Sequence, residues 1–183
     1  MLFSVDKCKV MHIGYNNCCA EYDMDGNKLE TVTEEKDLGV VISDNLKWDK
    51  QCSEAVVKAN KILGMIKRIF SDNSKERIIP LYKSLVRPHL EYCCQVWSPH
   101  HNKDIKLLEG VQRWVTRCGM KSLSYADRIK NLGLTSPENR RIRSDLIETY
   151  KIINGYYNID ASLFFQFDEG GRRGHSKKLY KKA

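Results

Sequence analysis

At Trp48 the hydrophobic period of this chain changes from two to 3.6, and no other feature of the sequence constrains its fold as strongly. Upstream, short apolar runs alternate with turn residues. Cys8 to Ile13 is bounded by Gly14-Tyr15-Asn16-Asn17, and Ala20 to Met24 and Lys28 to Val32 flank Asp25-Gly26-Asn27, whose Asp-Gly suits a tight hairpin. Leu38 to Ile42 is a compact apolar strand candidate, ended by Ser43-Asp44-Asn45. Together these predict a small antiparallel sheet of three or four strands. It is too little to stand without helices against it, and its exposed edge invites association.

Downstream, Cys52, Ala55, Val56, Ala59, Ile62, Leu63, Ile66, Ile69 and Phe70 fall on one arc of a helix over about 49–70. At about 100° per residue, Lys50, Lys58, Lys61 and Arg68 gather on the opposite arc. Ser74 caps a second helix carrying Ile78, Leu81, Tyr82, Leu85 and Val86; Pro88 ends or kinks it, and Leu90 to Trp97 continues as a further helix. Helices are also expected over about 103–118, with Ile105, Leu108, Val111, Val115 and Cys118 inward, and over 124–132. Ser136-Pro137-Glu138 is a helix start. The helix it opens runs to Ile153 with an apolar stripe of Ile142, Leu146, Tyr150 and Ile153, and with Arg140 and Arg141 pointing away. The fold expected is α+β and mainly α: a small antiparallel sheet, a helical bundle, and a disordered basic tail beyond residue 167.

Charge divides the chain. Residues 1–60 hold 7 Lys/Arg against 11 Asp/Glu, and residues 61–183 hold 24 against 12. The overall charge of +8 therefore lies in the C-terminal two-thirds, which suits a polyanionic partner or, equally, a solvated lysine-rich surface. No apolar run nears the ~18 residues of a membrane span, and the first ten residues lack a signal-like apolar stretch. An intracellular protein of cytoplasm or nucleus, neither secreted nor membrane-spanning, is expected. Seven cysteines, with adjacent pairs at Cys18-Cys19 and Cys93-Cys94, suit free thiols better than a disulfide framework.

Chemistry is sparse. No polymerase-type Asp-Asp pair occurs, since Glu34-Glu35 and Asp168-Glu169 lie in turn or tail context. Asp23-Met24-Asp25-Gly26 lacks the glycine spacing of a calcium loop and reads as a hairpin. Cys93-Cys94 with His100-His101 could be drawn as a zinc set, but adjacent cysteines on a helix diverge by about 100° and do not chelate. One buried and one partly buried thiol is the better reading, and no metal or cofactor is assigned. His12 is read as a structural residue in a strand, and Trp48, Trp97 and Trp114 as core rather than base-stacking groups.

Several segments carry a resemblance. Lys36-Asp37-Leu38-Gly39-Val40, Ile62-Leu63-Gly64-Met65-Ile66-Lys67-Arg68, Leu81 to Tyr92 with its Leu85-Val86-Arg87-Pro88-His89-Leu90-Glu91-Tyr92 core, Trp97-Ser98-Pro99, Leu108 to Arg113 and Arg173-Gly174-His175-Ser176 resemble the end of a non-LTR retrotransposon reverse transcriptase of the jockey type. The similarity extends over nearly the whole chain. It implies that residues 1–45 are the end of a polymerase palm, 46–130 a helical thumb holding the template–primer duplex, 131–167 a helical connector and 168–183 a basic tail. It further implies that Lys7 matches the palm lysine near the incoming nucleotide and that Leu38 and Gly39 match the primer-grip turn. The family's catalytic Asp-Asp strand precedes the region aligned with Met1, and Ser4 stands where the family has asparagine.

The expectation is a fragment of an RNA-directed DNA polymerase, inactive by itself although the full-length family uses Mg²⁺. Lys50, Lys58, Lys61 and Arg68 would bind an RNA/DNA duplex weakly and without sequence preference. A helical protein-interaction module with no nucleic-acid role is the alternative.

Overall fold

The computed structural model describes residues 4–70, 74–117, 120–168 and 177–180. Its strands are short: β1 (Lys9–Val10), β2 (Asp23–Met24), β3 (Asn27–Lys28), β4 (Glu30–Thr31), β5 (Glu34–Asp37) and β6 (Val40–Ser43). They form three separate two-stranded pairs rather than one antiparallel sheet, and β1 with β4 is parallel. Asp25-Gly26 does make the β2–β3 hairpin, with φ positive at both residues. His12 lies outside the strands, its ring 6.4 Å from that of Tyr22.

The apolar run from Leu38 to Ile42 divides into a turn and a strand. Asp37 pairs with Val40, so Leu38 and Gly39 are the two loop residues, with φ +44° and +87°. These are the positive angles of a type I′ turn, which matches the twist of paired strands. Gly39 meets them without strain; Leu38 does not, and it stands 83% exposed at the tip. Beyond the turn, Val40, Val41 and Ser43 are buried against helix α1 (Asp49–Ile69). The Val41 N–H donates to Gln51 Oε1 at 2.9 Å, so a side chain from the first turn of α1 occupies the outer edge of β6.

Around α1 lie α2 (Lys75–Leu81), a π-helical turn (Tyr82–Val86), α3 (Arg87–Glu91), α4 (Asn102–Val115), α5 (Tyr125–Asn131) and α6 (Pro137–Ile153). The π turn has a local cause. Pro88 has no N–H to give the Ser84 carbonyl and its ring would strike that carbonyl, and the Arg87 N–H reaches back five residues to Tyr82 O. The helix expected over Leu90 to Trp97 ends instead at Glu91, and Cys93 turns the chain at φ +50°. As expected, Cys94 is buried and Cys93 half-buried.

The core joins Cys52, Ala55, Ala59, Leu63 and Ile66 of α1 to Tyr82, Val86, Leu90, Trp97, Leu108, Val111 and Val115. Ile69 and Leu85, expected inside, are exposed. Gln112 anchors a polar knot within this apolar set. It is 1% exposed, accepts from Tyr82 O–H at 2.8 Å, and donates to Thr135 O at 3.1 Å and Tyr125 Oη at 3.3 Å.

Helix α6 departs most from its sequence pattern. Ser136 caps it as expected, accepting from the Asn139 N–H. Its buried side, however, is Pro137 and Arg141, while Ile142, Leu146 and Tyr150 of the expected stripe are exposed. Arg141 therefore points into the protein, and Arg140 lies half-buried in a two-pronged pair with Glu91. Of the tail expected to be disordered, residues 177–180 run beside 166–168 through Asp168 N–H to Lys178 O and Tyr180 N–H to Gln166 O. Residues 169–176 and 181–183 of that tail, and Cys118, lie outside the described residues.

The architecture is α+β and mainly α. Among the described residues no helix is long and apolar enough to cross a membrane.

Candidate nucleic-acid interface

Helix α1 presents two faces because its small and apolar residues recur every three or four positions. Ala55 and Ala59 let the neighbouring helices approach, and Leu63 and Ile66 fill the seam against α4. The opposite arc carries Lys50, Lys58, Lys61 and Arg68, as the spacing predicts. Val57 shares that arc and is exposed.

The four cations differ in availability. Lys50 pairs with Glu34 at the start of β5, and Lys58 pairs with Glu54 at 2.8 Å, one helical turn before it. Glu54 also takes Lys36 of β5 at 3.3 Å. Hydrogen bonding from the Lys58 ammonium, seconded by Lys36, holds the Glu54 carboxyl below its usual range, and the same contact raises Lys58. These pairs tie the β5–β6 hairpin to α1, and a phosphate would have to compete with Glu34 and Glu54 for both lysines. Lys61 has no ionic partner among the described residues, and Arg68 gives its Nε–H only to Gly64 O at 3.4 Å. The available part of the arc is therefore Lys61 and Arg68.

One cation here was not singled out by the sequence. Lys67 holds its ammonium 3.8 Å from the centre of the Trp114 ring, on the rim of a shallow cleft with Asn60 and Gly64. Trp114 and Trp48 are partly buried and Trp97 is wholly buried, which agrees with reading the tryptophans as core.

The residues implied by resemblance sit apart from this arc. Lys7 ends a single 3₁₀ turn, Val5–Lys7, and is exposed. Leu38 and Gly39 are bound to the helical part through Tyr92, whose O–H donates to Leu38 O at 2.9 Å and whose ring faces Gly39. Among the described residues no three His, Cys, Asp or Glu side chains cluster in a way that could hold a metal ion.

No family model matches the chain, and no solved structure matches it. Among curated proteins, an uncharacterized protein of Caenorhabditis elegans is 28% identical over 131 residues, which are 67% of this chain and 64% of that protein. The chain thus spans less than two thirds of the length of that relative.

Proposed function

We propose that these residues are the thumb and connector part of a jockey-type non-LTR retrotransposon reverse transcriptase, and that α1 meets nucleic acid through its outward face. The observation that carries the reading is the division of α1: one side is packed, and the other offers Lys61 and Arg68 without ionic partners among the described residues. Such groups contact phosphates as charges and read no base edges, so binding is independent of sequence. Each phosphate neutralised releases about 0.9 counterion from a duplex. The joint variant Lys61→Ala/Arg68→Ala should lower the log–log salt slope of duplex binding by about 2, equally for unrelated sequences. Lys50→Ala and Lys58→Ala should change the slope less, because those lysines are engaged by carboxylates. An unchanged slope in the double variant would refute the reading.

The alternative, a helical protein-interaction module, is favoured by one observation: Ile142, Leu146 and Tyr150 form an exposed apolar stripe on α6, extended by Tyr156 with its ring 6.2 Å from that of Tyr150. Under it, duplex binding is absent even at low salt.

A further inference from the structure

Arg141 is a buried charge that Glu91 and Asp145 favour only from beyond ion-pair distance. It is 5% exposed and gives its donors to Trp97 O and Leu90 O, and among the described residues it forms no ion pair. Burial lowers its pKa, the desolvation cost of holding a cation there. On one side it lines a cleft of about 410 Å³ together with Glu91, Gln95, Arg140, Arg143 and Ser144. That volume falls in the range of small-ligand sites, roughly 300–1,000 Å³.

The charges around this cleft do not balance. Glu91, its one carboxylate, is clasped by Arg140 through two bonds and approached by Arg87 at 3.8 Å. Arg140 is thereby fixed in direction, and its Nη1 has no hydrogen-bond partner among the described residues. Arg143, two residues beyond Arg141, is exposed and forms no ion pair among the described residues. Ser144 accepts from Gln95 Nε2 at 2.9 Å, which leaves its own hydroxyl proton to donate elsewhere. Asp145 belongs to the neighbouring apolar cavity, on the other side of Arg141. The wall therefore offers one guanidinium held by Glu91, a second and exposed one on Arg143, a hydroxyl, and behind them the buried Arg141 charge, which forms no ion pair among the described residues. That arrangement suits a tetrahedral oxyanion, for which planar N–H forks are the matched donors.

We propose that this cleft binds phosphate groups, with Arg143 as the principal contact, Arg140 and Ser144 as fixed donors, and Arg141 as the field behind them. The proposal does not rest on the reading of α1, which involves a different helix. Two sources carry this chemistry, a free di- or polyphosphate and the phosphodiester backbone of a nucleic acid.

The test uses the full chain in calorimetric titration at low ionic strength, with inorganic pyrophosphate and, separately, a short RNA/DNA duplex. Arg143→Ala should weaken pyrophosphate about tenfold, Arg143→Lys should weaken it less, and Ser144→Ala should weaken it a few-fold. Lys61→Ala/Arg68→Ala should leave pyrophosphate binding as it was. Because Arg143 is exposed, its variants should keep the parent's circular dichroism and unfolding midpoint. A parallel loss of duplex affinity in Arg143→Ala identifies the backbone as the source, and an unaltered duplex affinity identifies the free phosphate. No saturable pyrophosphate binding by the parent chain, or equal affinity in parent and Arg143→Ala, overturns the proposal whatever α1 does.

Discussion

Arg141 lies with its guanidinium 4.0 Å from the centre of the Trp97 ring and donates to the Trp97 carbonyl oxygen at 3.1 Å, across 44 positions of sequence. A second N–H meets Leu90 O at 2.6 Å. One planar group thus satisfies a carbonyl in the last turn of α3 and another beyond the turn that follows it, while covering an aromatic face. Lysine has neither the fork nor the plane, so Arg141→Lys should cost about 2–4 kcal/mol in urea unfolding. A loss under 0.5 kcal/mol would show that water can replace the guanidinium.

The knot at Gln112 makes a second stability claim. Replacing it with leucine keeps the volume but strips partners from the buried Tyr82 O–H and from Thr135 O. The expected cost is about 3 kcal/mol, against about 1–2 kcal/mol for Tyr82→Phe, which leaves only the Gln112 acceptor bare. A double-mutant cycle between them should show coupling.

The hairpin tip should be improvable. Leu38 holds φ +44°, which favours asparagine or glycine, so Leu38→Asn is expected to raise stability by about 1 kcal/mol. Gly39→Ala should do the reverse, since its φ is +87° and the new methyl would lie 3.4 Å from Tyr92 Cε1.

Alkali should unfold the protein early. Burial pushes the Cys52 thiol from its ordinary 9.0 up to about 12, and burial raises the Tyr82 and Tyr125 phenols as well. Between pH 9 and 12 the unfolded chain has released the Cys52 proton while the folded one keeps it. The unfolded state then binds fewer protons, and stability falls as pH rises. Cys52→Ala should flatten that decline in denaturant titrations at pH 8, 9.5 and 11.

The exposed side of α6 should tolerate charge. Leu146 is 65% exposed, so Leu146→Glu should shift stability by no more than about 0.5 kcal/mol while lowering any tendency to associate in sedimentation runs.

How far each element was legible depended on what faces inward. Helix α1 packs small and apolar residues at helical spacing, and its period gave away both faces. Helix α6 turns an arginine inward and leaves Ile142, Leu146 and Tyr150 outside, so hydropathy assigned its sides in reverse. No local pattern marks an arginine that will stack on a distant tryptophan. The Leu38–Gly39 turn was masked by its leucine, although Gly39 was the available signal. Pairing of Lys58 with Glu54 was readable at four-residue spacing, whereas Lys50 with Glu34 depended on how the hairpin docks. The single antiparallel sheet failed because runs of two to four paired residues carry too little pattern to fix partners.

The bond from Val41 N–H to Gln51 governs more than the seating of one strand. Two-stranded ribbons ordinarily grow by recruiting a neighbour at the outer edge, and the first step is capture of an outward N–H. In this chain that group is already spoken for by an amide fixed to a helix, as a plug sits in a socket. Growth from β6 would first require α1 to lift away, so the longest helix among the described residues also serves as a guard against templated aggregation.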